Sequence, residues 1–373
     1  MEKHRVSWER EVSMLFEPFS FSGLNLKNPL VRSATFEKRA DEDGFVTEFL
    51  IELYEELTVG GTGLIITGNA LVHPSGRSVP RMLCIHSDIY IQELRKLTTA
   101  VHQLGGVIAV QLVHGGRQSF PILLGGHDPL APSAVYDTST RIMPRAMTDT
   151  EIWEMIDAFA DAARRARIAG FDAVQIHGAH GYLVSEFLSS HTNRRDDYWG
   201  GDEERRFHFL EEVYKAMRKE VGEDYPLMIK MNADDLIKGG LRVEEAARAA
   251  MRLEELGIDA IEVSGGMYES DQQTAKPDIV SIDEEAYFRD AGKVFKERLS
   301  VPVILVGGMR SRSVMEEVLQ KGEADLISLA RPLIREPDLP NKFKEGKEKA
   351  DCISCNGCMD FEKLDVVKCI QLR

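Results

Sequence analysis

Short continuous runs of apolar residues, many of them Val and Ile, alternate along the chain with longer segments of helical period. Such runs are typical of strands in a parallel sheet that is covered on both faces. Eight strands are predicted, at residues 29–35, 63–72, 107–114, 172–178, 226–232, 259–265, 301–308 and 325–331. Helices are predicted at 88–104, 148–169, 202–221, 243–256, 284–299 and 311–321.

The order of these elements predicts the fold class. Eight strand-then-helix units favour an α/β fold of the closed (β/α)8 type, a TIM barrel. An open doubly wound sheet is the alternative, but no G-x-G-x-x-G sequence follows the first strand. The helix over 148–169 has clear end signals, because Thr148-x-x-Glu151 forms a capping box and Gly170 follows the last turn. Gly257 and Gly322 mark two further helix ends.

Composition narrows the class of protein. The 373 residues suit one barrel of roughly 250 residues with extensions, or two domains. A net charge of −15 argues against non-specific nucleic-acid binding and against a basic membrane-surface protein. No apolar run is long enough to cross a membrane, and residues 1–13 have no apolar core of a secretory signal. We therefore expect a cytoplasmic protein, and a homo-oligomer.

Polar residues at the strand ends are the candidate site, because barrel chemistry lies at the carboxyl ends of the strands. Lys230 lies inside an apolar strand, so it must reach water, a ligand or a buried carboxylate, and the last two are favoured. Gln111 is either a ligand-binding amide or a satisfied core amide. The stretch 115–147 has no periodicity and holds four prolines, which is typical of a functional loop.

Two further groups point to a ligand. Gly308 and Arg331 follow the last two strands, where barrels of this type often bind phosphate, although simple turns are the alternative. His177, His180 and Tyr182 can converge on one spot; zinc is disfavoured there because H-E-x-x-H is absent. The residues alone therefore indicate a barrel with a phosphate-bearing ligand at its mouth, beside two histidines, a tyrosine and a lysine.

Four of the five cysteines cluster near residue 360. Cys352, Cys355, Cys358 and Cys369 form the pattern C-x2-C-x2-C-x10-C, whereas Cys84 stands alone. A disulfide framework is expected in small secreted chains rather than in a chain of this size. The cluster therefore predicts a metal site.

The segment HGAHGYLVSEFLSSHTNRRDDYWGG at 177–201 resembles the signature of the Old Yellow Enzyme family of FMN-dependent oxidoreductases. Residues 15–35, 63–77, 109–117, 301–311 and 327–340 match the same family in order. The resemblance implies three segments: an extension at 1–13, an FMN-binding TIM barrel at 14–348 and a Cys-rich segment at 349–373. It further implies an NAD(P)H-dependent ene-reductase that reduces the C=C bond of an unsaturated carbonyl compound or acyl-CoA.

The resemblance also assigns roles to residues. His177 and His180 would bind the carbonyl oxygen, while Tyr182 would give the proton as the flavin gives a hydride. Lys230 would lie near N1 and the C2 carbonyl of the flavin, where a cation stabilises the reduced anionic form. The remaining cofactor-binding residues would be Thr35, Asn69, Gln111, Gly308, Ala330 and Arg331.

The cysteine cluster resembles the iron–sulfur branch of that family, which includes 2,4-dienoyl-CoA reductase and trimethylamine dehydrogenase. The resemblance implies a [4Fe–4S] cluster, with zinc or no metal as alternatives. No segment resembles that branch's nucleotide-binding domain, so such a cluster would exchange electrons with a partner protein or would be a structural relic. Two other functions therefore stay open: an electron-transfer subunit, and a non-redox aldolase or isomerase in which Lys230 forms a Schiff base.

Overall fold

The computed structural model describes residues 13–270 and 274–372. The predicted extension at 1–13 lies outside the described residues except for Ser13.

A closed barrel of eight parallel strands forms the centre of the molecule. All strands in the described residues, in chain order, are β1 Phe19–Phe21, β2 Leu24–Leu26, β3 Leu30–Arg32, β4 Leu64–Leu71, β5 Leu83–Cys84, β6 Ile108–Val113, β7 Leu130–Ala131, β8 Arg145–Ala146, β9 Ala173–Gly178, β10 Leu227–Asn232, β11 Ala260–Ser264, β12 Val303–Leu305 and β13 Leu326–Leu329. The barrel strands run in the order β3-β13-β12-β11-β10-β9-β6-β4, and β3 also pairs with β4 to close the ring.

Helices lie between successive barrel strands, and two short helices follow the last strand. They are α1 Glu48–Val59, α2 Ile91–Gln103, α3 Asp149–Ala169, α4 Leu183–Leu188, α5 Glu203–Val221, α6 Val243–Leu256, α7 Arg289–Arg298, α8 Arg312–Gln320, α9 Arg331–Arg335 and α10 Leu339–Lys344. Within the described ranges, no helix is both long and apolar enough to span a membrane.

The predicted barrel is confirmed, and each of the eight predicted strands contains a barrel strand. The capping box of α3 is present, and Gly170 ends that helix in the left-handed conformation at φ +89°. Helix α1 is absent from the predicted helices, although Thr47 caps it and its buried side chains include Leu50, Tyr54 and Leu57. The segment 115–147 contains two short helical turns and the small β7–β8 pair.

The barrel interior is layered. Its lower layer is apolar: side chains such as Val31, Ala109, Met228 and Ala260 pack together with the β1–β2 hairpin in one cluster. Successive inward-facing residues lie two positions apart along a strand. On six of the eight strands, the next inward position toward the carboxyl end is polar and buried: Ser33, Gln111, Gln175, Lys230, Glu262 and Ser328. A polar layer therefore lies directly below the barrel mouth.

Candidate active site

A cavity of about 550 Å³ opens at the carboxyl ends of the barrel strands. Cavities of this size suit small-molecule and cofactor ligands. All ten residues that the sequence analysis named as catalytic or cofactor-binding line this one cavity. They are Thr35, Asn69, Gln111, His177, His180, Tyr182, Lys230, Gly308, Ala330 and Arg331.

Lys230 is held at the floor of the cavity by a buried carboxylate. Its Nζ lies 3.3 Å from Glu262 Oε1 and donates a hydrogen bond of 2.8 Å to Ser33 Oγ. Lys230 is 2% exposed and Glu262 is fully buried. Burial lowers the pKa of Lys230, while the charge of Glu262 opposes that shift. The sequence allowed water, a ligand or a buried carboxylate as the partner of Lys230. In the structure the partner is the buried carboxylate of Glu262.

Gln111 is oriented by the same network. Its Nε2 donates to Gln175 Oε1 at 2.7 Å, and Gln175 Nε2 donates to Glu262 Oε2 at 2.8 Å. Gln111 is buried but also lines the cavity, so it is both a bonded core amide and a ligand-facing one. Glu262 therefore holds both residues of the cavity floor, Lys230 directly and Gln111 through Gln175.

The two histidines lie at the end of β9 with their rings in edge-to-face contact, 5.2 Å between centroids. His177 Nδ1 accepts the backbone N–H of Ala179 at 3.3 Å, which leaves the proton of the neutral ring on Nε2. His180 Nε2 lies 2.8 Å from Ser264 Oγ. Burial, and then the charge of Lys230, lowers the pKa of His180 to about 3. Burial also lowers the pKa of His177 well below its usual value, so both rings are neutral at neutral pH.

Tyr182 packs edge-on against His177, with 4.7 Å between ring centroids. Burial, followed by the neighbouring Tyr268 phenol, raises the pKa of Tyr182 well above its usual value. The Tyr268 ring lies 6.3 Å away and also lines the cavity. Tyr182 therefore stays protonated at neutral pH and can serve as a proton donor but not as a base.

The far end of the cavity is positively charged. Arg331 Nη1 donates to Asn356 Oδ1 at 2.5 Å and to the carbonyl of Lys276 at 2.9 Å. Arg310, which the sequence analysis did not single out, lines the same end and donates to the carbonyl of Cys352 at 3.0 Å. The loop bends sharply here, with Gly308 at φ +70°, where a side chain would collide with Ile279.

The four clustered cysteines line a second, small cavity of about 20 Å³, which Arg331 also borders. Arg335 Nη1 lies 3.4 Å from Cys369 Sγ. Among the described residues, no three His, Cys, Asp or Glu side chains are arranged to hold a metal ion. The structure thus brings the four cysteines together without forming a ligand set, and the predicted metal site stays a prediction.

Sequence reasoning missed several residues of the site, above all Glu262, Gln175, Ser264 and Tyr268. Glu262 carried a usable signal, because it is a charged residue inside the apolar run DAIEVSG, as Lys230 is inside LMIKMN. Ser264 lies at the end of the predicted strand 259–265, but a lone serine there gives no signal of a role. Its contact with His180 depends on the folding of two segments 84 residues apart, which spacing alone does not show.

Comparison with known proteins places the chain in a family. The family model for NADH:flavin oxidoreductase / NADH oxidase matches residues 14–350. A curated NADH oxidase of Thermoanaerobacter brockii is 39% identical over 349 residues, covering 92% of this chain and 53% of that protein.

Comparison with solved structures agrees with this family assignment. A 2-naphthoyl-CoA reductase in complex with 2-naphthoyl-CoA superposes with a TM-score of 0.87 at 30% identity, covering 92% of this chain and 54% of that one. The old yellow enzyme homologue from Zymomonas mobilis superposes with a TM-score of 0.78 at 30% identity, covering 91% and 95%. This chain therefore spans about half the length of the NADH oxidase and of the naphthoyl-CoA reductase, and nearly all of the third protein.

The barrel and its cavity define a flavin-dependent oxidoreductase fold of the Old Yellow Enzyme type. The chain belongs to the NADH:flavin oxidoreductase / NADH oxidase family, which confirms the resemblance found in the sequence. The cavity itself fits the family's cofactor, FMN. Asn69 Oδ1 is buried with no hydrogen-bond partner among the described residues, while Lys230 and Arg331 place cations at its two ends.

Proposed function

We propose that the protein is an FMN-containing, NAD(P)H-dependent reductase of the C=C bond in α,β-unsaturated carbonyl compounds. One observation carries the proposal: two neutral imidazoles and a protonated phenol, from His177, His180 and Tyr182, face one cavity that has a buried lysine at its floor. This set can bind a carbonyl oxygen and deliver a proton, and neither act needs a charged side chain at the substrate.

The chain's residues would hold FMN by complementary chemistry. Asn69 and Gln111 offer amide groups to the pyrimidine edge of the ring, with Thr35 beside them. Lys230 would face the part of the ring that becomes negative on reduction. Gly308, Ala330 and Arg331 would surround the phosphate. The cofactor held by these residues would supply hydride chemistry, with NAD(P)H as the source of the hydride and the β-carbon of the substrate as its destination.

His177 and His180 would bind the substrate's carbonyl oxygen. The Nε2–H of His177 is free to donate, because its Nδ1 already accepts from Ala179. If Ser264 donates to His180 Nε2, the neutral ring of His180 carries its proton on Nδ1 and donates from there. Two donors on one oxygen stabilise the negative charge that develops on it as the double bond is reduced.

Tyr182 would supply the proton to the α-carbon. A phenol is suited to this role, because the site's burial keeps it protonated at neutral pH. Once it has given up its proton, the Tyr182 oxygen lies near the hydroxyl groups of Tyr268 and Ser78, and the cavity opens to solvent for its reprotonation.

The substrate class includes small enones and unsaturated acyl-CoA thioesters. The similarity to an old yellow enzyme homologue supports the enones. The similarity to a naphthoyl-CoA reductase in complex with its CoA ester supports the acyl-CoA thioesters. The chain spans about half the length of the NADH oxidase and of the naphthoyl-CoA reductase, so its natural reductant and substrate are part of the proposal.

Anaerobic stopped-flow measurements on FMN-loaded protein test the proposal. Mixing with NADH or NADPH should bleach the flavin absorbance near 450 nm, and a second mixing with an enone such as 2-cyclohexenone should restore it with formation of the saturated ketone. A protein that loads FMN but is reduced by neither nicotinamide would refute the proposal.

A second candidate is an electron-exchange role with a partner protein. The observation that favours it is that Cys352, Cys355, Cys358 and Cys369 line one cavity, whose border residue Arg331 also lines the main cavity. A [4Fe–4S] cluster is the proposed occupant, with zinc as the alternative. As placed, the thiols do not form a ligand set, and the reduction described above requires none of them.

Iron, zinc and acid-labile sulfide, assayed on protein purified without oxygen, decide between these options. Roughly four irons and four sulfides per chain, lost in a Cys352→Ser variant, would support the cluster. Metal-free protein with full enone turnover would exclude this second candidate and leave the ene-reductase proposal intact.

A further inference from the structure

Glu262 is a fully buried carboxylate at the centre of the polar layer, and the reaction proposed above gives it no role. Its two oxygens accept from three elements. Ser33 Oγ and Ser328 Oγ each donate to Oε1 at 2.8 Å, and Gln175 Nε2 donates to Oε2 at 2.8 Å. Lys230 Nζ completes the set at 3.3 Å. With this many buried donors on its two oxygens, the Glu262 side chain is fixed in place.

Strand pairing explains why the lysine and the carboxylate meet. Lys230 on β10 and Glu262 on β11 are direct partners in the parallel register, and both point into the barrel. Among the described residues, Glu262 is the one carboxylate within 4 Å of Lys230 Nζ. A buried ammonium loses its hydration, so a neighbouring negative charge is needed to keep it protonated.

We propose that Glu262 is a positioning residue for the flavin: it holds Lys230 in its charged form at the floor of the cofactor cavity. The inference rests on the proposed function, since it concerns how this chain binds FMN. Lys230 in turn favours the reduced, negatively charged ring over the oxidised one. The carboxylate thus sets the relative affinity of the site for the two redox states through the lysine, without touching the cofactor's reacting atoms.

The other charges around Lys230 do not replace Glu262. Arg32, on strand β3 across the barrel, is a like charge that disfavours the ammonium, and it is itself paired with Glu37 at 3.5 Å. His177 and His180, at the mouth, are neutral at neutral pH. Removing the Glu262 charge therefore leaves a desolvated lysine whose pKa falls.

The test is the two-electron midpoint potential of FMN bound to the full chain, measured from pH 6 to pH 9. At pH 9, Glu262→Gln should lower the ratio of the site's affinities for reduced and oxidised FMN about tenfold. For a two-electron couple this lowers the midpoint potential by about 30 mV. At pH 6, where Lys230 is again protonated, the ratio should be no lower than in the wild type. Lys230→Met should show a lowered ratio at both pH values.

Two combined variants isolate the pathway. In a Lys230→Met background, Glu262→Gln should cause no further loss at pH 9, because the lysine through which it acts is gone. In a Lys230→Arg background, it should cause no pH-dependent loss, because a guanidinium stays charged at every pH used. An equal loss in either background would overturn the inference.

A matched control separates charge from folding. Glu336 is a similarly buried carboxylate, bonded to Lys347 at 2.7 Å outside the cavity, and Glu336→Gln should leave the potential unchanged. If Glu262→Gln does not fold, Glu262→Asp withdraws the charge from Lys230 and should show a smaller version of the same pH dependence. A flat wild-type-like profile in either Glu262 variant overturns the inference. Wild-type protein that binds no FMN would instead overturn the proposed function.

Discussion

Replacing Tyr182 with Phe removes one hydroxyl group from the mouth of the barrel and leaves the ring against His177, 4.7 Å between centroids. A positioned general acid contributes about 10²- to 10⁴-fold to a rate. That range corresponds to about 3–5 kcal/mol of transition-state stabilisation. We expect Tyr182→Phe to slow flavin reoxidation by an enone to this extent.

The structure indicates where in the range the effect falls. The nearest other phenol, Tyr268, lies 6.3 Å away between ring centroids and is on a different loop, so it does not occupy the same position. Both histidines are neutral, and in the proposed binding mode they donate to the substrate oxygen, so they are poor substitutes as acids. The loss should therefore lie toward the upper end, near 10³- to 10⁴-fold.

Double-mixing stopped flow under anaerobic conditions separates the two half-reactions. Reduction of the flavin by NADPH should stay within about twofold of the wild type, since that step requires no proton donor at this position. Tyr225→Phe is the control, because it removes a phenol hydroxyl that lies outside the cavity and donates to the carbonyl of Phe171 at 2.7 Å, so it should leave enone reduction unchanged. Reoxidation of Tyr182→Phe at the wild-type rate, or an equal loss in both variants, would refute the assignment of Tyr182 as proton donor.

Three predictions concern the stability of the fold. Thr148→Ala removes the side-chain half of the α3 capping box and should lower the free energy of unfolding by about 1 kcal/mol in urea titrations; an unchanged value would mean that Glu151 alone suffices. Phe209→Ala removes a fully buried ring stacked 4.1 Å from Phe187 and should cost about 3–5 kcal/mol in the same assay, whereas a loss below about 1 kcal/mol would contradict the packing. Burial raises the pKa of Glu186 to about 8, so the folded state retains a proton that the unfolded state releases above its own pKa. Stability should then fall as pH rises from about 4.5 to 8, and Glu186→Gln should flatten that fall; parallel pH profiles of the two proteins would contradict the shift.

The parts of the fold that could be predicted from sequence are those with local signals. Each barrel strand is a short apolar run, and α3 carries its capping box and terminal glycine within its own sequence. Helix α1, which was not predicted, has the same kind of signal, since the Thr47 side chain accepts from the backbone N–H of Leu50. This helix could therefore have been predicted from its own sequence. The β1–β2 hairpin is different, because three-residue strands have too few positions to show a period.

The site divides in the same way. His177, His180 and Tyr182 are close in sequence, and their convergence follows from one strand end. By contrast, the bond from Gln175 to Glu262 joins residues 87 positions apart, and the pair of Lys230 with Glu262 depends on the register of two strands. Pairings of this kind are set by barrel closure, which a single sequence indicates only as a fold class.

The layering of the barrel links these distant residues into one arrangement. On β11, Ala260, Glu262 and Ser264 all point inward because they are two positions apart. Ala260 packs in the apolar lower layer, Glu262 binds Lys230 in the polar layer, and Ser264 contacts His180 at the mouth. A one-residue slip of this strand would turn all three away from the interior. The register that buries the apolar layer is therefore the same register that aligns the lysine at the cavity floor with the imidazole at its mouth. Packing of the core and geometry of the site are thus a single constraint.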